Sequence, residues 1–289
     1  MRKLIIIVSI LITLVFTPLA DADILFSDSL ESGDFTHVDP LSGAAWGEST
    51  YTTVSTDNPR TGAYSIKFRF VGNEDLDADA WSEQRFKISD APQTEIYIRY
   101  YIWFPESYTI RATPSTENTK FIYIWGDSYA DDTNKIGFEL QGDMQAGFTA
   151  KHTYPSGVKT LGCVAPSFTS EVDSPSTRWT LTEEDKGKWL CFEFRYKIDS
   201  GAGDGALQFW VDGELIIDGD PLSWLGAPCG VNEFLRNGYL MGWSNSGFDE
   251  DTIVYIDDVV FSTNYIGPDV TPETQTRSSH RGGGMGNMR

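Results

Sequence analysis

The stretch Glu95-Ile-Tyr-Ile-Arg-Tyr-Tyr-Ile-Trp-Phe-Pro105 holds the side chains best suited to chemistry. Successive side chains of a strand alternate between its two faces. Ile96, Ile98, Tyr100 and Ile102 therefore share one face and make a core. Tyr97, Arg99, Tyr101 and Trp103 share the other. Three aromatic rings and a guanidinium in one row suit a sugar ring and a carboxylate better than bulk water. A sheet with such a face usually has a groove, and a groove needs a ligand.

Other active-site patterns are missing from the sequence. The Glu-x-Asp-x-x-Glu arrangement that would support two-carboxylate glycoside hydrolysis does not occur, and Glu139-Leu-Gln-Gly-Asp143 has the wrong spacing. There is no phosphate-cradling glycine loop, no His-Glu-x-x-His zinc site and no Gly-x-Ser-x-Gly nucleophile elbow.

The elements around these residues are strands. Short runs with period-two alternation are separated by Gly, Pro, Asn and Asp clusters, the pattern of an all-β sandwich. The predicted strands are 63–70, 82–88, 95–104, 121–125, 135–141, 147–154, 189–198, 206–211, 214–217, 239–244 and 252–261. That exceeds what a small immunoglobulin-type sandwich needs. Val211-Asp212-Gly213-Glu214 predicts a two-residue hairpin with a primed turn. The one helical candidate is Thr182–Lys188.

Residues 1–22 have the form of a secretory signal peptide. Arg2 and Lys3 precede an apolar run from Leu4 to Phe16, and Ala20-Asp21-Ala22 fits a small-x-small cleavage site. That run is too short to span a bilayer, so the expectation is a secreted or periplasmic protein without membrane insertion. From Pro268 the chain turns to Thr, Ser, Arg and Gly, which predicts a disordered tail over 268–289. About 245 residues remain between, within the range of one large sandwich domain. Cys163, Cys191 and Cys229 allow one disulfide, with the two loop cysteines, Cys163 and Cys229, the preferred pair.

A formal charge of −20 argues against nucleic acid or an anionic membrane as partner. Fifteen of the 22 Lys and Arg residues lie between Lys67 and Lys197. A basic patch inside an acidic shell therefore stays open beside the plainer reading, a solvated acidic surface.

Several segments together resemble a known family. The opening Ile24-Leu-Phe-Ser-Asp28-Ser-Leu-Glu31-Ser-Gly33 is similar to the first strand of concanavalin A-like jelly-roll domains. Gly187-Lys-Trp189-Leu-Cys-Phe-Glu-Phe-Arg195, then Gly205-Ala-Leu-Gln-Phe-Trp210-Val-Asp212-Gly213, then Val254-Tyr-Ile-Asp257-Asp258-Val-Val-Phe261 continue it. Arg99–Pro105 followed by Lys120-Phe-Ile-Tyr-Ile-Trp125-Gly126 resembles the polysaccharide-lyase branch, of alginate, glucuronan and heparin lyase type. The resemblance covers residues 24–267 and implies a two-sheet antiparallel jelly roll.

It also implies β-elimination on a uronic-acid polymer. That chemistry needs a cation or amide donors against the carboxylate, a base for the neighbouring proton and an acid for the leaving oxygen. Arg99 would neutralise the carboxylate bidentately. Tyr101 would be acid or base, Lys120 would add positive potential, and His152 is the only histidine in mid-domain. Tyr97, Trp103, Trp125, Lys151, Glu193 and Arg195 would bind substrate. Such jelly rolls often share a structural calcium ion between terminal strands, which here implies Glu31, Asp257 and Asp28 as ligands.

Plainer readings stand beside each of these. Arg99, Glu139, Glu193 and Arg195 also fit a cross-strand charge ladder. Alternation in Phe148-Thr-Ala-Lys-His152 groups His152 with the apolar residues and sends Lys151 the other way. Trp103, Trp125, Trp210 and Trp243 suit either sugar platforms or core. The function expected is thus a polysaccharide lyase, with a non-catalytic lectin-like protein as the alternative and a surface-layer protein as a third possibility. Fold analogy alone does not decide among them.

Overall fold

The computed structural model describes residues 24–75, 78–109, 118–127, 129, 135–141, 148–153, 179, 181–200, 202–222, 234–245 and 247–268. Side chains of β8 other than Gly137 and Phe138, and all those of β9, also fall outside the description. So do the leader, the tail beyond Pro268, Cys163 and Cys229.

Fourteen strands are described: β1 (Ile24–Asp28), β2 (Ala45–Thr50), β3 (Thr52–Ser55), β4 (Ser65–Phe70), β5 (Ala80–Lys87), β6 (Glu95–Trp103) and β7 (Asn118–Trp125) in the first half. The second half supplies β8 (Lys135–Gln141), β9 (Phe148–Thr153), β10 (Trp189–Lys197), β11 (Gly205–Val211), β12 (Glu214–Leu222), β13 (Asn237–Ser244) and β14 (Thr252–Ser262). They form two antiparallel sheets. One has eight strands in the order β12-β11-β10-β6-β14-β4-β3, with β1 also paired to β14. The other has six, in the order β2-β5-β13-β7-β8-β9.

Aromatic contacts fix the sheets face to face. Phe138 of the six-stranded sheet meets Phe194 of the eight-stranded sheet, with centroids 4.8 Å apart. Phe86 meets Phe261 at the same distance. Ile96, Ile98, Tyr100 and Ile102 are all fully buried in this layer, as the alternation of their strand requires. Each fully buried large apolar side chain contributes roughly 1.5–3 kcal/mol.

Two short strands escape the period-two pattern. β2 pairs with β5 in one sheet, and β3 pairs with β4 in the other. The chain changes sheets at Tyr51, whose φ is +53°. Both are edge strands in the sheet order, so they have little apolar alternation to declare themselves. The predicted hairpin forms as expected: Asp212 and Gly213 have φ of +49° and +85°, both positive as a type I′ turn demands. The helical candidate shrinks to one 3-10 turn, Glu183–Asp185, with Thr182 and Asp185 bonded reciprocally at its start. No described helix is long and apolar enough to cross a membrane.

Candidate functional site

The outer face of β6 is not an open trough. After β14 the chain folds back, and residues 265–268 lie across this face. Glu193 of β10 stands opposite Arg99 of β6. The Glu193 carboxylate accepts the N–H groups of Ile266 at 2.7 Å and Gly267 at 2.8 Å. Arg99 Nη1 donates to the Gly267 carbonyl at 3.1 Å, and the Tyr101 hydroxyl donates to the carbonyl of Pro268. The Arg60 guanidinium lies 3.3 Å from the centre of the Tyr101 ring.

Arg99 is 0% exposed, Glu193 2% and Tyr101 7%. The expectation that they line a groove is therefore corrected: the chain's own backbone fills the place a sugar would take. Burial pushes the Glu193 carboxyl up to about 7, against the pull of the two N–H donors and Arg99. Burial likewise pushes the Tyr101 phenol up to about 12.

Tyr97, Trp103 and Arg195 keep partial exposure at the margins of this face. Arg195 is spent on Glu95 at 2.7 Å, Gln208 at 2.7 Å and Asp220 at 2.6 Å. Its guanidinium sits 5.6 Å from the Tyr97 ring. Trp103 packs edge-on against Tyr255. These contacts are the cross-strand ladder that alternation allows, partly roofed rather than wet.

An open cleft of about 530 Å³ lies instead on the outer face of the six-stranded sheet. β2, β5, β7 and β13 line it, with Trp46, Glu48, Arg85, Lys87, Trp125 and Asn237 among the contributors. In β5, Trp81, Glu83, Arg85 and Lys87 alternate with the core-facing Ser82, Gln84 and Phe86. The cross-strand register then gathers one row: Arg85 opposite Tyr239, Tyr239 opposite Tyr123, Tyr123 opposite Gly137 and Gly137 opposite Lys151. The next row pairs Lys87, Asn237 and Trp125.

Side chains in and around that row touch. The Tyr123 and Tyr239 rings stack with centroids 5.6 Å apart. Trp125 lies 5.6 Å from Tyr239 and 5.0 Å from Tyr129. The Arg85 guanidinium is 5.8 Å from the Tyr129 ring. Arg85 Nε donates to Glu83 Oε1 at 2.6 Å, which holds the guanidinium in place and raises its pKa further. Glu83 is 4% exposed, while Arg85 keeps 37% of its side chain in water. Gly137 is required here: a Cβ would fall 2.2 Å from the Tyr123 ring.

The predicted residues divide accordingly. Trp125 lines the cleft. Lys120 stands beyond it on the same sheet, with Nζ donating to Asn245 Oδ1 at 2.7 Å. Lys151 is in register with the Arg85 row, whereas His152 is in register with Ile136 and, through it, the core residue Ile124. Sequence reading missed Arg85, Tyr123 and Tyr239. A usable signal was present, since β5 alternates polar and core residues as clearly as β6 does.

The acidic residues proposed for calcium are engaged by N–H donors. Asp28 accepts from Leu30 N and Trp46 Nε1, both at 2.7 Å. Glu31 accepts from Ala63 N at 3.0 Å. Asp257 accepts from Arg60 N at 2.8 Å and Asp258 N at 2.7 Å, and Asp258 is ion-paired with Arg60. Among the described residues no three acidic, His or Cys side chains come together to hold a metal. As arranged, the set does not fit a calcium ion. Cys191 is buried and carries a free thiol.

No protein-family model matches the sequence. No curated protein matches it either. Solved structures do. An endo-β-1,4-glucuronan lyase of the fungus Trichoderma reesei is 12% identical, with 83% of this chain and 97% of that one covered at a TM-score of 0.51. The cellulose-induced protein Cip1 is 16% identical over 84% and 99%, at 0.48. The alginate lyase vAL-1 of a Chlorella virus is 11% identical over 77% and 93%, at 0.49. At such identities the likeness concerns the fold. Sheet order and this likeness agree: the chain is an all-β, concanavalin A-like jelly roll.

Proposed function

We propose that this protein is a secreted or periplasmic polysaccharide lyase, acting on a uronic-acid-containing polymer held on the six-stranded sheet. The observation that carries the reading is the row Arg85–Tyr239–Tyr123 beside an open cleft. The Arg85 guanidinium would neutralise the uronate carboxylate, which makes the proton on the adjacent carbon easier to remove. Tyr239 stands next to that cation. Tyr239 is fully buried as the structure stands, so its hydroxyl would take the proton only once bound polymer opens a way to it. The bond to the leaving oxygen then breaks, a carbon–carbon double bond forms, and the same proton passes to the leaving oxygen. Trp125, 4% exposed, forms part of the floor of the cleft, and Lys120 adds positive potential on the same sheet.

A second reading has an observation of its own. Glu83 at 2.6 Å and Glu48 at 3.9 Å already balance much of the Arg85 charge. That favours holding a glycan without cutting it, as a lectin-like protein does. A panel of alginate, glucuronan, heparinoid and neutral glucans separates the two, scored for retention and for ultraviolet-absorbing unsaturated product. Product from an acidic polymer supports the lyase. Retention without product supports the lectin-like reading, and neither result would remove the carbohydrate function.

A further inference from the structure

The β5–β13 ladder carries a second aromatic feature at the end away from the cleft. Trp81 and Trp243 are cross-strand partners there. Their indoles stack with centroids 4.9 Å apart and planes within 8°. Trp243 is 37% exposed, whereas Trp46 and Trp125 are 8% and 4% exposed. Stacking uses one face of each ring, so a large apolar surface is left in water at a cost.

Polar groups rim this plate. Asn245 follows Trp243 by two residues and accepts from Lys120 Nζ at 2.7 Å. Asn245 Nδ2 donates to Asp79 Oδ2 at 3.0 Å. The Trp81 indole N–H points to Glu83 Oε2 at 3.2 Å, and Glu83 in turn holds Arg85. A flat apolar surface with amide and ammonium groups at its edge matches a pyranose, whose C–H face stacks while its hydroxyls and carboxylate bond outward.

The spacing fixes how this plate relates to Arg85. Trp81 and Trp243 lie four residues along their strands from Arg85 and Tyr239. At about 3.3 Å per residue the separation is roughly 13 Å, which one sugar ring does not bridge and an oligosaccharide does.

We infer that Trp243, braced by Trp81 and rimmed by Lys120 and Asn245, is a remote platform for a further sugar of the acidic polysaccharide held at Arg85, so that this face reads chain length. The inference rests on the carbohydrate function proposed above. Its test is titration of wild type, Trp243→Ala and Trp243→Phe with sodium alginate and polyglucuronate, and with the di- and hexasaccharides of each. Trp243→Ala should weaken polymer and hexasaccharide binding by about tenfold and disaccharide binding far less. Trp243→Phe keeps a ring on Trp81 and should fall between, at about threefold; it decides the matter if the alanine variant melts early. Equal losses for long and short chains, or no loss for long chains in either variant, would overturn the platform alone. A wild type that binds none of these glycans would overturn both the platform and the function it rests on.

Discussion

Arg99 on β6 and Glu193 on β10 are cross-strand partners that both grip Gly267, the guanidinium at its carbonyl and the carboxylate at its N–H. Two buried charges thus clamp the last described segment onto the eight-stranded sheet. Their work is to close the fold. A buried pair of this kind costs desolvation to form and costs more to break on one side only.

Replacing Arg99 by alanine leaves Glu193 buried with no cationic partner across the strand pair. The expected loss is about 1–3 kcal/mol of unfolding free energy, because the bond to the Gly267 carbonyl goes while the Glu193 carboxyl, already pushed up to about 7, can take a proton. Urea denaturation of Arg99→Ala against wild type measures it. A stability change under about 1 kcal/mol, the range of an exposed pair, would mean the clamp is idle.

The Glu193 and Asp257 carboxyls are both pushed up to about 7, chiefly by burial, and for Asp257 also by Asp258. The folded state therefore binds protons that the unfolded state releases at lower pH. The stabilisation from these two groups is fully present below the usual carboxylate range and is lost as pH rises towards 7, by on the order of a few kcal/mol for the two together, whereas carboxyls held low, such as Asp57 and Asp251, change stability only at lower pH. Thermal melts between acid and neutral pH should show this decline, and Glu193→Gln should flatten it. An unchanged slope in that variant would contradict the assignment.

Much of the sandwich was legible in the sequence, and the reason is alternation. Ile96, Ile98, Tyr100 and Ile102 declare a core face whichever surface the opposite residues meet. The same rule placed Tyr97, Arg99 and Tyr101 outside the core but is blind to a third layer. What covers Arg99 is backbone from Ile266 to Pro268, distant in sequence and without apolar periodicity. Register is equally hidden. Nothing local in Trp81–Lys87 says that Arg85 will stand opposite Tyr239, because strand neighbours are chosen by the whole topology.

Gly137 lets the Tyr123 ring lie flat over β8. Gly137→Ala puts a methyl 2.2 Å from that ring, so Tyr123 must move out of the Arg85 row. Overpacking of this kind costs roughly 1–3 kcal/mol. The loss should appear in calorimetric melting and, more sharply, in glycan affinity. An alanine variant that melts and binds like wild type would show that the Tyr123 position is immaterial.

In the proposed function Arg85 neutralises a uronate on the six-stranded sheet. The most direct test is the appearance of ultraviolet-absorbing unsaturated ends from alginate and polyglucuronate, compared between wild type and Arg85→Ala. Arg85 is half-buried and holds the buried Glu83 carboxylate, so Arg85→Ala should melt earlier than wild type and is assayed well below its own melting temperature, where product formation should fall by about a hundredfold or more, as expected for loss of one charge-stabilising group. Product formation by Arg85→Ala at the wild-type rate would show that Arg85 does not neutralise the uronate.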